Sequence, residues 1–326
     1  MEFLLADAMG KPLWMWLGFI ALVCLLLAFD LGVLHRNSHE IGIRESLLLS
    51  TFYIAIGLAF SGWIYYKMGT QSSVEYLTGF VVEKSLAMDN IFVIAMIFAY
   101  FGIPRKYQHR VLVYGILGVI VLRGIMIGAG ASLVQRFEWV LYLFAAFLIF
   151  TGIKMLIDAG QEYDVGSNKI LKFVQKRMRV TKELHGERFF VRAPDPKTGK
   201  PARFATPLFL ALIMVEIADI IFAVDSIPAI FAITTDPYIV YTSNIFAILG
   251  LRALYFALSA MIKRFVYLKY ALASVLIFIG AKIFVADMLG LAKIPPTVSL
   301  GVTISILFIG IVSSLWVTRG GTLAER

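Results

Sequence analysis

The chain has 326 residues, 60% of them hydrophobic and 16% charged, against about 45 to 50% apolar and about 25% charged in an ordinary soluble domain. That excess, with a mean hydropathy of +0.84, excludes a soluble enzyme. It also excludes a disordered chain, which needs low hydrophobicity and high net charge. The single cysteine, Cys24, excludes a disulfide framework and any cysteine-cluster metal or iron-sulfur site. The formal charge of +9 reads as basic loops beside anionic headgroups and not as a nucleic-acid surface.

Crossing a bilayer core takes roughly 20 mostly apolar residues, and runs of that kind predict nine spans. In chain order they are Pro12 to Leu34, Leu47 to Tyr66, Tyr76 to Tyr100, Val111 to Val134, Phe137 to Ile157, Ala205 to Ile233, Tyr238 to Ile262, Phe265 to Met288 and Pro296 to Thr318. The expected fold class is therefore all-α, a polytopic membrane helix bundle whose main partner is the lipid bilayer. The first span lacks a basic n-region and a small-residue cleavage site, so it reads as a retained helix.

Orientation follows from lysine and arginine. The longest connection, Asp158 to Phe204, has 47 residues with 11 basic and 6 acidic, which places it in the cytoplasm. Alternation from there puts the N-terminus outside and the C-terminus inside, with 21 loop bases on the cytoplasmic side and four outside, Lys11, Lys67, Arg136 and Lys293. Within the long loop, Ile170, Leu171, Phe173, Val174 and Met178 interleave with Lys169, Lys172, Lys176, Arg177 and Arg179. That pattern fits a helix on the membrane surface, or a solvated basic linker.

Self-comparison reveals a repeat. Leu148 to Lys154 (LIFTGIK) recurs as Leu276 to Lys282 (LIFIGAK) at an offset of 128, and Phe137 and Phe265 open both spans. Leu122-Arg123-Gly124 recurs as Leu251-Arg252-Ala253, while Glu83 with Asp89-Asn90 recurs as Asp219 with Asp225-Ser226. Each copy holds three spans, an odd number, so the second enters the membrane from the opposite side. Inverted repeats of this kind build midplane sites in secondary transporters. The expected organisation is two N-terminal helices in 1–70, a first repeat in 71–157, the basic loop in 158–204, an inverted repeat in 205–290, and a ninth helix with a cytoplasmic tail in 291–326.

A charge inside the bilayer costs a few kcal/mol on insertion scales and marks a functional candidate. The third span carries Glu83, Lys84, Asp89 and Asn90, and the sixth carries Glu216, Asp219, Asp225 and Ser226, followed by Pro228. The pseudo-symmetry would bring five carboxylates together near the middle. Such oxygens suit Mn²⁺, Mg²⁺ or Ca²⁺, with Asn90 and Ser226 as neutral ligands. The histidines, His35, His39, His109 and His185, fall in predicted loops, which disfavours zinc or copper(I) and excludes bis-histidine haem; no nucleotide is expected. Lys84, Arg123 and Arg252 are the candidate charge-balancing bases, whereas Lys154 and Lys282 lie near span ends and are expected to snorkel. The alternative is that all these charges merely form interhelical ion pairs. Asp30 reads as a helix-end residue.

At about 100° per residue, Glu216 and Asp219 share a face of their helix, while Glu216 and Asp225 point nearly opposite ways. One unbroken helix cannot aim all three at one ion. Pro228 therefore predicts a kink or unwound stretch around Val224 to Ser226, freeing a carbonyl as a further ligand. If the helix stays straight, some carboxylates must serve as proton carriers or entry ligands.

Glu83 to Asn90 (EKSLAMDN), Val215 to Ile230 (VEIADIIFAVDSIPAI) and Ser243 to Arg252 (SNIFAILGLR) together resemble the TerC family over nearly the whole chain. Glu187 to Arg192 (ERFFVR) and Thr234 to Pro237 (TTDP) resemble its Alx branch. The resemblance implies a multi-pass protein of the bacterial inner membrane associated with manganese export and, in older descriptions, with tellurium resistance and redox modulation. It also implies kinship with the LysE exporter superfamily.

The leading expectation is thus a non-enzymatic exporter of Mn²⁺, exchanging for protons, that holds the ion by Glu83, Asp89, Asp219 and Asp225 with Glu216 as ligand or proton acceptor. A membrane redox modulator or scaffold without transport is an alternative, weakened by the lack of a cysteine pair. A tellurium oxyanion transporter using Arg123 and Arg252 is another, weakened by the excess of carboxylates. Oligomeric state is not legible.

Overall fold

The computed structural model describes residues 7–32, 42–157, 165–167, 169–181, 183–194, 201–259, 265, 267–291 and 294–321. His35 and His39 lie outside the described residues, as do the side chains of Asp30 and Arg252. A two-residue antiparallel pair, β1 (Asp7–Ala8) and β2 (Lys11–Pro12), leads into α1 (Leu13–Gly32). Helical residues then run from Ile43 to Tyr100, interrupted at Gly69 with φ 89° and ψ 177°, a region that glycine alone enters freely.

Gly69 divides those 58 residues into α2 (43–68) and α3 (70–100). A single straight helix of that length would reach about 87 Å, far beyond a bilayer. Instead the arms fold back on each other. Ser61 and Ser73 hydroxyls meet at 2.9 Å, and Tyr76 donates its hydroxyl proton to the Gly57 carbonyl at 3.0 Å. Pairs that move apart symmetrically around the break are the signature of an antiparallel helical hairpin.

α4 (Arg105–Arg136) and α5 (Trp139–Ile157) follow. α6 (Lys169–Arg177) and an antiparallel hairpin of β3 (Phe190–Pro194) and β4 (Pro201–Ala205) come next. The chain re-enters the bundle as α7 (Pro207–Phe231), then α8 (Pro237–Leu249), α9 (Leu251–Ser259), α10 (Leu268–Met288) and α11 (Pro296–Gly321). Among the described residues, six helical stretches are long and apolar enough to cross a membrane, or seven if α8 and α9, bent by 54° at their junction, form one span. This count takes Ile43–Tyr100 as one stretch.

The segment between α5 and α7 is more folded than either sequence expectation. Leu171 is buried, and both it and Val174 join the apolar cluster that also holds Ile94, Ile97, Phe98 and Leu208. Arg110 bonds Glu187 at 3.2 Å beside a Tyr114–Phe189 edge contact. The β hairpin was not anticipated, because five-residue strands inside a polar connection leave little periodic signal. At α8, Asp236 caps the helix by accepting from the Tyr238 and Ile239 amides, with Pro237 at the first helical position. Its carboxylate also bonds Lys11 at 2.9 Å.

Two glycines hold α5 against α10. A Cβ on Gly152 would lie 2.8 Å from the Ala273 carbonyl oxygen and 2.6 Å from the Ile277 side chain. A Cβ on Gly280 would lie 2.6 Å from the Ala145 carbonyl oxygen and 2.9 Å from Ile149. Each residue in the first set has its counterpart 128 positions away in the second, so the contact is reciprocal. α11 lies along α10 and the Ile43–Tyr100 stretch, and its Ser314 hydroxyl accepts from the Tyr267 amide at 2.9 Å, at the start of α10.

Candidate functional site

Arg123, from the middle of α4, is 1% exposed and ties four helices together. Its guanidinium bonds Glu83 of α3 and takes both carboxylate oxygens of Asp219 of α7, at 3.0 and 3.2 Å. It also donates to the Ser226 hydroxyl at 3.2 Å and to Asn244 Oδ1 of α8 at 3.1 Å. A planar fork with five donors suits this convergence, and removing it would leave two buried carboxylates uncompensated. Glu83 and Asp219 are the equivalent acids of the sequence repeat, so one guanidinium bridges the pair.

Beside this knot is a cavity of about 240 Å³. Its polar lining is Glu83, Asp89, Asn90, Arg123, Thr151, Lys154, Asp225 and Ser226, and its apolar walls include Leu86, Met155, Phe222 and Leu276. Asp225 accepts from the Thr151 hydroxyl at 3.2 Å and sits in the field of Lys154. Asp89 sits in the field of Lys269. Two oxygens on this wall, Glu83 Oε2 and Asn90 Oδ1, are buried and have no hydrogen-bond partner. Such orphaned acceptors are rare in a folded protein and call for a partner. A second cavity of about 30 Å³ shares Asn90 and Phe222 with the first and is bordered by Asp219, Leu251 and Tyr255.

The expected convergence of five carboxylates is realised only in part. Glu83, Asp89 and Asp225 border one cavity; Asp219 faces Arg123; Glu216 turns toward α4, where its carboxylate fills the space a Cβ on Gly118 would need. Among the described residues, no group of three Asp, Glu, His or Cys side chains is arranged to share one ion. The cause is the helix itself. α7 runs unbroken from Pro207 to Phe231 with Pro228 inside it, so the break expected around Val224 to Ser226 is absent. Pro228 forfeits the backbone bond to the Val224 carbonyl, and the helix nonetheless runs on to Phe231. On the unbroken helix Glu216 and Asp219 keep their shared face toward α4, at Gly118 and Arg123, while Asp225 points to Thr151 of α5.

Lys84 also differs from expectation. One residue on from Glu83, it points to another face of α3 and donates to the Ala247 carbonyl at 2.9 Å, where a Cβ on Gly250 would come within 3.0 Å of its ammonium. It therefore caps the end of α8 at the bend, an arrangement the helix dipole favours, instead of balancing the acids. Lys154, expected to snorkel, is exposed at the cavity wall. Asn244 and Thr151 were not singled out as site residues, although both lie inside stretches the repeat and the family motifs highlight. Their small polar side chains in apolar runs were the available signal.

The sequence model of the family described as "Integral membrane protein TerC family" matches residues 68–322. Among curated relatives, an "Uncharacterized membrane protein" of Rickettsia bellii is 48% identical over 92% of this chain and 96% of its own length. "Uncharacterized membrane protein STKORF319" of Myxococcus xanthus is 43% identical over 96% and 95%. The Escherichia coli protein named "Putative membrane-bound redox modulator Alx" is 45% identical over 97% of this chain and all of its own length. No solved structure matches. With the family model covering most of the chain and relatives matching nearly end to end, this protein belongs to the TerC family of integral membrane proteins.

Proposed function

We propose that this protein is a secondary exporter of divalent metal cations, with Mn²⁺ the substrate that the family resemblance implies. The observation that carries the reading is the pair of unpartnered oxygens, Glu83 Oε2 and Asn90 Oδ1, on a cavity wall shared with Asp89 and Asp225. Three carboxylates on one lining, outnumbering the positive Arg123 and Lys154, suit a hard cation. Ser226 and Thr151 add neutral oxygens, and Arg123 balances Glu83 and Asp219 between transport events. Glu216, with an unpartnered oxygen and Asp219 nearby, is assigned to proton exchange, since carboxylates bind either species.

The transport architecture in this reading has nine spans. Treating α2 and α3 as separate spans, α8 with α9 as one bent span, and the 20-residue α1 as a span brings the helices to that number. Units 71–157 and 205–290 form an inverted repeat flanked by the N-terminal pair, the basic cap and α11. The reciprocal Gly152 and Gly280 contacts support it, because reciprocity is what a two-fold axis produces. The cation enters from the cytoplasm past Asn90 and Phe222, and rocking of one unit against the other opens the site outward. The protein resides in the bacterial inner membrane.

Everted vesicles test this directly. Wild type accumulates Mn²⁺, and Asp89→Asn and Asp225→Asn each lower initial uptake at least tenfold with the protein still folded and inserted. Uptake equal to wild type in both variants overturns the site. A redox role is the second reading, because the enterobacterial relatives carry that name. Cys24, exposed in α1, is its one thiol. A purified protein that neither binds nor moves Mn²⁺ favours that reading.

A further inference from the structure

We infer that the cation occupies the α3–α7 cavity with much of its water shell intact, so that most protein contacts to it run through water. The inference rests on the cation-export reading and specifies the form in which the substrate is held. Three observations lead to it.

The first is size. A cavity of about 240 Å³ has room for about eight waters at roughly 30 Å³ each, which accommodates an octahedral six-water ion, whereas a bare ion with direct ligands at about 2.0 to 2.6 Å would leave most of it unfilled. The second is ligand spacing. Among the described residues, no three acidic, histidine or cysteine side chains can share one ion, and the straight α7 keeps Glu216 and Asp219 away from Asp225. The third is prior engagement. Arg123 holds Glu83 by one oxygen, the other, Oε2, being buried without a hydrogen-bond partner, and claims both oxygens of Asp219.

With Glu83 Oε2 and Asn90 Oδ1 themselves buried behind the wall, and with the positive Arg123 and Lys154 beside them, what borders the space is a scatter of acceptors: Asp89, Asp225, Thr151 and Ser226. Spread around a wall, these cannot replace an inner shell together, but each can accept a hydrogen bond from a metal-bound water. Charge-assisted acceptors of this kind are roughly twice as strong as neutral ones. Retaining water also spares the ion most of its dehydration cost and allows release on the far side. A site built this way selects for size and charge of the hydrated ion.

The test uses purified full-length protein in lipid nanodiscs. Pulsed electron paramagnetic resonance of bound Mn²⁺ in deuterated water counts its water ligands, and hexaamminecobalt(III), whose ammine shell does not exchange, is titrated against it. Most of the water shell retained, with hexaamminecobalt(III) displacing Mn²⁺ and Asp225→Asn weakening both alike, is the expected result. Mn²⁺ bound with most of its waters lost and no competition by the cobalt complex overturns the inference while leaving the export reading standing. No saturable Mn²⁺ binding at all overturns both.

Discussion

Arg123 is where the energetics of the site concentrate. Its guanidinium is sealed among Glu83, Asp219, Ser226 and Asn244, and truncating one partner of a buried ion pair costs about 3 to 5 kcal/mol because the other charge is left alone. Arg123→Gln is therefore expected to destabilise the folded protein by about that amount, read as a fall in the midpoint of thermal unfolding in detergent. Adding Glu83→Gln to Arg123→Gln removes one stranded charge and should recover part of the loss. If the double variant is less stable than the single one, the pairing is not what holds Arg123 in place. These charges were legible in the sequence because ionised groups inside apolar runs are rare. Their grouping was not: which acid meets which base depends on the facing of four helices. Lys84 shows the limit, since its neighbour Glu83 enters the site and its own ammonium serves a carbonyl on α8.

At the scale of elements, close packing in lipid depends on small residues that let backbones approach, since lipid tails provide no hydrophobic drive between helices. Gly152 and Gly280 do this for α5 and α10, and the reciprocity of their contacts makes a quantitative claim. Gly152→Ala and Gly280→Ala each place a Cβ within 2.8 Å of a carbonyl oxygen and should each cost about 1 to 3 kcal/mol, the range for overpacking, with nearly equal shifts in the unfolding midpoint. Markedly unequal losses would argue against a two-fold relation there. The apolar spans themselves were readable, because crossing a bilayer fixes a length of about 20 residues. The connection at Gly69, which turns the chain through a positive φ in the run Gly69-Thr70-Gln71-Ser72-Ser73, falls between the second and third expected spans. The α8–α9 bend, inside one expected span, was less readable. Pro228 misled in the other direction: it forfeits the bond to the Val224 carbonyl, yet the helix carries through to Phe231.

For the whole molecule, basic connections gather at one end. The Arg105–Arg110 region is tied to the segment between α5 and α7 by Arg110–Glu187. Leu171 and Val174 share an apolar cluster there with residues of α3 and α7. Lys11 pairs with Asp236 on the connection that follows the opposite end of α7. This arrangement fits the expectation from the charge bias of the sequence that the basic end faces the cytoplasm. Lys106 and Glu138 are both exposed and flank the two ends of α4, so they report the orientation. In a Cys24→Ser background, a cysteine at Lys106 should react with a membrane-impermeant maleimide in everted vesicles and stay protected in intact spheroplasts, whereas a cysteine at Glu138 should do the reverse. Labelling of both positions from one side would mean that α4 does not cross the membrane. Reversal of both would invert the molecule, moving the basic cap outside and turning the proposed direction of cation movement from export to uptake.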